Sequence, residues 1–591
     1  MISDGASNGA EPTTGGVTLH PAEVISLLAL TISLLVGAVL AVRHGWVPIS
    51  DEALIELRVR DVPAHLPLSG VYSKFGWNHP GPSQFYLLSL FYFVGRSSSS
   101  ALLVGSMATH LMFGVVAWRA IRAVDRTLGL IVLAGVGLVL ASTSPQLLRT
   151  PWNPYVVLIG GFAIVALGWS LAERKRFGAV LVLPVATYLI QSHVVTAPMT
   201  LIVVVTGAVL ALARRAGRAA GTPLETTDPV SHATETNPMP WLHLGVGAAL
   251  AALMWLPPLV QQLTGDPGNL TRLLSTGGDG ASVGFREATG VVSQAFAAWP
   301  STLNNAELAK VIVNVDLALP VWLLVPIIGA VLAVRRRDHA FLRGLTISAA
   351  ALVGVWISMA ATSGGLFNYL TLGLRPIAIA TICIGIGSIF RSLPGIPQTI
   401  QMSALAVVIC VLSASIGVQQ IGAENPFASY APTVRALERV VEEHAAGRSI
   451  DVSSAADIHS AEVAIALMLQ LEREGYEVSS AELGPSKVGE HRSHGGEYQV
   501  QVAPIQMRAH LLEQGWEPLL EYDPLSRAEQ REFDRLKGRR DAAQAEFDSG
   551  SSGQSRTEFL DTWMRISDQM DKVERGRVAA MVVGRTRDGG D

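Results

Sequence analysis

Gln84-Phe-Tyr-Leu-Leu-Ser-Leu-Phe-Tyr-Phe-Val94 is the stretch on which the topology of this chain turns. It is apolar, but it is eleven residues long, follows Pro80 and Pro82, and has five Tyr or Phe residues. A helix needs about 20 apolar residues to cross roughly 30 Å of hydrocarbon, and aromatic residues gather at headgroup level. The stretch is therefore expected to lie in, or dip into, a membrane interface without crossing.

Eleven other apolar runs are read as spans, at roughly 22–42, 99–118, 128–142, 155–172, 178–190, 198–213, 241–256, 312–334, 344–361, 376–390 and 400–420. Composition agrees: of 591 residues 49% are hydrophobic and 16% charged, with a mean hydropathy of +0.37. Soluble domains carry about 25% charged residues. The expected fold class is a polytopic α-helical membrane protein. The net charge of -4 says little about partners, because charge is partitioned by membrane side. Cys383 and Cys410 lie inside apolar runs and read as small core residues.

Leaving 84–94 out of the count separates the basic residues into two sets. One set of short loops holds Arg119, Arg122, Arg126, Arg174, Lys175, Arg176, Arg214, Arg215, Arg218, Arg335, Arg336, Arg337, Arg343 and Arg391. The opposite loops are much longer and carry ten basic residues, among them Arg58, Lys74, Arg149 and Arg375. Dense Lys and Arg in short loops mark the cytoplasmic side. The N-terminus is thus expected in the cytoplasm, and loops 43–98, 143–154, 191–197, 257–311 and 362–375 outside. Residues 1–21, Gly/Ser/Thr-rich and free of Lys and Arg, read as a disordered cytoplasmic tail; 221–240 reads as a polar cytoplasmic linker.

After about residue 421 the composition turns polar. Strand-like stretches at 450–453, 498–502 and 578–583 alternate with helical periodicity at 431–446, 459–475 and 556–574, with a flexible loop expected at 545–553. Residues 421–591 are read as a soluble extracytoplasmic α/β domain, following a membrane domain over 22–420.

Chemistry is expected in Ile49-Ser-Asp-Glu-Ala-Leu-Ile-Glu-Leu-Arg58 and in Trp77-Asn-His-Pro-Gly-Pro82. Asp51 and Glu52 sit just beyond the first span, where a partly desolvated carboxylate can take a proton from a hydroxyl. They fit an ordinary solvated loop or a helix cap equally well, and cap and base do not exclude each other. Arg149 is the cation of the second outer loop, and its guanidinium suits a phosphate or lipid headgroups. Trp152 and Asn153 lie in a stiff proline-flanked turn; the indole suits a sugar face or an aromatic belt. Gln191 and His193 open the next outer loop, as cavity-facing polar groups or as interfacial caps. Asp316 reads as an intramembrane carboxylate near the outer end of the eighth span, and His110 as a satisfied packing histidine. Asp266 and Asp279 lack an Asp-x-Asp pair, so no metal or other cofactor is expected.

An early Asp-Glu in the first outer loop, then Asn78-His79-Pro80-Gly81-Pro82 running into an aromatic helix, resembles the GT-C superfamily of integral-membrane glycosyltransferases. That superfamily includes protein O-mannosyltransferases, lipid A aminoarabinose transferases and mycobacterial arabinosyltransferases. The resemblance covers roughly 22–390 and rests on the order of short motifs. It implies a GT-C-like membrane domain and an inverting transfer of sugar from a polyprenyl-phosphate donor to a glycan, lipid or protein acceptor at the outer face. It also implies catalysis by Asp51 with Glu52 beside it, and donor or acceptor contacts from Asn78 and His79. Arg375, with Tyr369 before it, resembles the late loop that meets the lipid phosphate. His79 also fits a plain turn between prolines. Membrane lipids are expected partners, nucleic acid is not. A transporter or flippase is the rival reading, as is a non-catalytic scaffold with a recruiting outer domain. The chain lacks the half-to-half symmetry common in transporters.

Reporter fusions test the orientation. Fusions after residues 120, 175, 215 and 338 should report cytoplasm, and after 150 and 430 the opposite side; inverted signals would overturn it.

Overall fold

The computed structural model describes residues 19–219, 238–275, 282–298, 316–363, 366–393, 395–445, 447–455, 457–549, 556–574 and 578–586. Residues 1–18, most of the polar linker, and Asp279 lie outside the described residues. The helices up to residue 421 are α1 (Pro21–His44), α2 (Ser50–Arg60), α3 (Ser83–Val94), α4 (Ser100–Arg122), α5 (Arg126–Ala141), α6 (Pro145–Arg149), α7 (Asn153–Val156), α8 (Gly160–Ala172), α9 (Arg176–Ser192) and α10 (Ala197–Ala219). They continue with α11 (Trp241–Thr264), α12 (Asn269–Ser275), α13 (Phe285–Ala295), α14 (Leu324–Arg335), α15 (His339–Ala360), α16 (Leu374–Phe390) and α17 (Gln398–Ile421). Among the described residues, eight helical stretches are long and apolar enough to cross a membrane. The shorter apolar helices α5, α9 and α14 fall on the other three expected spans.

The outward faces are apolar. On α1, Ile25, Leu28, Ile32, Leu35, Val39 and Val42 are exposed; on α17 so are Ile400, Val407, Val411 and Val418. Water would penalise stripes of that length, whereas lipid tails satisfy them. The chain is a polytopic helical membrane protein.

The Arg-rich turns gather at one end of the bundle, where carboxylates answer them. Glu23 meets Arg122 at 2.5 Å, joining α1 to α4. Glu173 bridges Arg214 at 2.7 Å and Arg343 at 2.5 Å, tying α8 to α10 and α15. The other end carries α2, α3, α6, α7 and the C-terminal domain. Both ends of α3 are fastened there: Ser83 Oγ donates to Gln191 Oε1 at 2.5 Å, and Arg473 donates to the Ser97 carbonyl at 2.9 Å. At twelve residues, α3 is about 18 Å long, short of a crossing.

The C-terminal domain comprises α18 (Ala431–Ala445), β1 (Ile450–Ser454), α19 (Ile458–Arg473), β2 (Val478–Ser479), α20 (Pro485–Val488), β3 (Tyr498–Ala503), α21 (Arg508–Glu513), β4 (Glu517–Tyr522), α22 (Arg527–Asp548), α23 (Arg556–Glu574) and β5 (Ala580–Thr586). Its sheet runs β2-β1-β3-β5-β4, parallel across the first three strands and antiparallel at β5. The domain is α/β, as the alternating periodicity indicates. Two expectations change. The loop expected from 545 begins inside α22, which runs to Asp548. Asp316 lies in an exposed irregular stretch ahead of α14, not within a span, so it is no intramembrane carboxylate.

The domain shares its core with the first outer loop. Ala53, Leu54 and Leu57 of α2 pack with Val434, Leu437 and Leu467. One helical step round, Ile55 and Val59 pack with Phe85, Leu88, Tyr92 and Leu102 of the membrane domain. This helix is therefore buried on two faces, each leucine or isoleucine contributing roughly 1.5–3 kcal/mol. Between those faces stands Glu56, fully buried. It accepts from Tyr92 Oη at 3.0 Å, Ser99 Oγ at 3.0 Å and Arg473 Nη1 at 2.6 Å. Below it Arg60 meets Glu472 at 2.8 Å, and Asp61 meets Arg492 at 2.8 Å.

Arg473→Ala should cost about 3 kcal/mol, because it strands the buried Glu56 carboxylate. Thermal unfolding together with limited proteolysis of the 421–591 region reads this; an unchanged melting temperature and cleavage pattern would contradict it.

Candidate functional site

The site is built at the first turn of α2. Ile49 is the residue before the helix, and Asp51 and Glu52 are helical residues in that turn, where carboxylates favour the positive end of the dipole. Asp51 therefore does not cap the helix through its side chain. Its Oδ2 accepts from the Trp152 indole Nε1–H at 2.8 Å. Glu52 Oε1 accepts from Thr150 Oγ1–H at 2.8 Å. The turn between α6 and α7 thus presents one donor to each carboxylate, and the Trp152 backbone N–H fixes Thr150 Oγ1 at 3.2 Å.

Burial raises both carboxyl pKa values. For Asp51 the Trp152 hydrogen bond works against burial, Glu462 adds to the rise and Lys487 opposes it. Glu52 is pushed up to about 8, first by burial and further by the Asp51 charge, against the Thr150 bond. Two adjacent carboxylates in low dielectric do not both ionise easily. Near neutral pH Glu52 keeps its proton.

Aromatic rings wall the space beside Asp51. The Trp152 ring lies 5.0 Å from Tyr369 and 5.9 Å from Tyr155, and Tyr369 stacks on Phe367 at 5.6 Å. Lys74 Nζ sits 4.0 Å from the Phe367 ring centre. On the other side Lys487 Nζ, from α20 of the C-terminal domain, sits 4.9 Å from the Tyr72 ring centre. Burial, and then the Asp51 charge, raise the Tyr72 hydroxyl pKa, which places that ring within reach of the carboxylate's field.

A histidine pair lies close by. The buried rings of His79 and His193 are 4.9 Å apart. His79 Nδ1 accepts from the Val194 N–H at 3.2 Å, which leaves its proton on Nε2. Desolvation holds His79 well below its ordinary value and takes His193 down to about 4, so both are neutral. His193 Nδ1 is buried without a hydrogen-bond partner among the described residues. His193 and Tyr369 line one narrow crevice, otherwise mostly apolar, among them Leu158, Met199, Val355 and Met359.

The other expected residues divide by what their polar atoms touch. Asn78 exchanges bonds with Asn269 at 2.7 and 2.8 Å and donates to Ser69 Oγ at 3.1 Å and the Ser486 carbonyl at 2.9 Å. Asn153 Nδ2 donates to the Ser192 carbonyl at 3.1 Å, and Gln191 Nε2 to the Met254 carbonyl at 2.8 Å. These three amides hold loops in place around the carboxylates. Arg375, buried at the start of α16, donates to the Ser142 carbonyl and Thr143 Oγ1, both at 3.2 Å, behind Tyr155.

Arg149 departs from the expectation of a phosphate ligand. It is fully buried and its guanidinium faces the C-terminal end of α17. It donates to the Gln420 side chain at 2.9 Å, the Gln420 carbonyl at 3.0 Å, the Ala423 carbonyl at 2.9 Å and Asn425 Oδ1 at 3.0 Å. A cation there satisfies orphan carbonyls and the negative end of the helix dipole. His110 is buried in α4 with both ring nitrogens unpartnered among the described residues, so it packs without the bonds expected of it.

Sequence reading missed Thr150, Tyr72, Phe367, Lys74, Glu462 and Lys487. Phe367 and Tyr369 stand two apart before Arg375, which was signal enough; Lys487 and Glu462 approach from the distant C-terminal domain and left no local trace.

No family model and no curated protein matches this chain. Among the solved structures similar to it are two of ArnT from Cupriavidus metallidurans. The apo form is 9% identical, with a TM-score of 0.44, over 85% of this chain and 97% of its own. The form bound to undecaprenyl phosphate is 10% identical, with a TM-score of 0.46, over 85% and 96%. The chemistry is therefore read from this chain's own residues.

Trp152→Phe removes the indole donor whose hydrogen bond opposes the effect of burial on Asp51, so the Asp51 pKa should rise further. Carbodiimide labelling of Asp51 across pH, read by mass spectrometry, measures it; an unmoved midpoint would show that the hydrogen bond has no such effect.

Proposed function

We propose that this protein is a glycosyltransferase that moves a sugar from a polyprenyl-phosphate donor to a hydroxyl of a glycan, lipid or protein acceptor at the outer face of the membrane. The observation that carries the reading is the setting of Asp51. One carboxylate stands beside a protonated neighbour, is oriented by an indole N–H, and is faced by aromatic rings that carry ammonium groups.

Each part has a task in such a transfer. Asp51 takes the proton as the acceptor oxygen attacks the anomeric carbon. The bond from that carbon to the phosphate oxygen breaks, and its electron pair stays on the phosphate. A carboxylate whose pKa is raised by burial is a stronger base than a solvated one. Protonated Glu52 adds no second negative charge that would repel the phosphate. Trp152 and Tyr369 offer flat faces to a sugar ring. The donor class comes from the resemblance of the first outer loop to GT-C enzymes; the aromatic wall and the cations suit a sugar phosphate. The inverting course follows from a single displacement with one base.

Asp51→Asn keeps the shape and can still accept from Trp152, but it cannot take a proton. Purified protein assayed against a panel of polyprenyl-phosphate sugars should lose at least about a thousandfold in kcat, with thermal stability unchanged. Retention of full turnover by the variant would remove Asp51 from the base role.

A further inference from the structure

The C-terminal domain does more than cap the membrane domain: α20 carries Lys487 into the wall beside Asp51. Several features hold that short helix there. Gly484 and Gly489, which flank it, have φ of 69° and 91°, a backbone region that L side chains rarely adopt. A Cβ on Gly489 would press against the Arg58 guanidinium of α2, so the positive φ and the close approach both favour glycine there. The Ser486 carbonyl is gripped by Asn78 Nδ2 at 2.9 Å, and Asn78 is itself buried in the loop before α3. The residue next to that grip is Lys487.

Lys487 has no ion-pair partner among the described residues; its ammonium rests on the face of Tyr72. Tyr72 is bridged to Asn78 across the loop, so ring and grip form one unit. A cation held on an aromatic face is positioned but not neutralised, unlike one held by a carboxylate. Arg149, the cation first expected to meet a phosphate, is committed to the end of α17.

We infer that Lys487 is the residue through which the C-terminal domain completes the donor site, binding the phosphate of the polyprenyl-phosphate donor and holding its charge as the sugar departs. The inference rests on the donor reading above. In the transfer step the phosphate gains the electron pair of the broken bond to the anomeric carbon, so its negative charge grows on the oxygens facing Lys487. The acceptor's proton goes to Asp51, and Lys487 gives up no proton.

The test uses the full-length protein in nanodiscs, with a long-chain polyprenyl phosphate and the uncharged polyprenol of equal length as probes. Wild-type protein should bind the phosphate more tightly than the alcohol. Lys487→Gln should weaken the phosphate about tenfold and leave the alcohol unchanged, while Lys487→Arg should stay within about threefold of wild type. Lys487 is half-buried and makes no ion pair among the described residues, so the variants should melt as wild type does. Equal phosphate affinity in Lys487→Gln and wild type would overturn the inference and leave the donor reading standing. Equal loss of phosphate and alcohol in Lys487→Gln would overturn it too, since a charge partner is blind to the alcohol. Wild-type protein that does not distinguish phosphate from alcohol would overturn both.

Discussion

The buried Glu56–Arg473 contact is the constraint on which the functional end of this molecule depends. Glu56 is fully enclosed, and three donors from α3, the turn before α4, and α19 converge on it. A charge so placed is costly unless every donor arrives together. The contact therefore acts as a condition of assembly: α2 reaches its position only when the membrane domain and the C-terminal domain both close on it. Apolar packing on either side of the same helix supplies the drive, and the carboxylate selects the register. Asp51 and Glu52 stand one turn earlier on that rigid element, so their geometry inherits its precision.

Much of this was legible in the sequence, and the reasons are physical. Spans are read from length and polarity, and ten of the eleven coincide with helices, while the eighth, 312–334, overlaps α14 only from Leu324 on. The short aromatic stretch could be left out of the spans because its length forbids a crossing. In the C-terminal domain, β1 and β3 show as apolar alternation and β5 as a short apolar run, whereas β2 is two residues long and β4, Glu517–Tyr522, is half exposed at the sheet edge. The capping box of Ser526 and Glu529 announces α22, yet the dense charge after it reads only as solvated surface. Asp51 and Trp152 were identified separately; that they are bonded to one another is a fact of tertiary structure.

Arg149 illustrates the limit. A lone arginine in a proline-rich outer loop has the same local sequence whether it faces a ligand or a helix end. What decides is the exit of α17, which leaves carbonyls at Gln420 and Ala423 without intrahelical partners just where that loop passes. Asn425 completes the arrangement by donating to the Ala41 and Gly45 carbonyls at 2.9 and 2.7 Å. First and last membrane helices are thus sewn together at the point where the chain enters its C-terminal domain. The arginine belongs to that seam, and its task is to place the domain.

Placing the domain matters because charge at the site comes from both sides of the seam. The carboxylate of Asp51 belongs to the first outer loop. The charged groups that tune it from the C-terminal domain, Glu462 and Lys487, lie on α19 and α20. A site divided this way cannot be competent while the domain is undocked: Asp51 would be more solvated, its pKa would fall toward that of an ordinary carboxylate, and one ammonium group would be missing from the aromatic wall. Docking therefore couples desolvation of the Asp51 carboxyl to arrival of the Lys487 ammonium. The same closure encloses Glu56 and raises the Asp51 pKa, and the ion pair and the two adjacent carboxylates lie on successive turns of one eleven-residue helix.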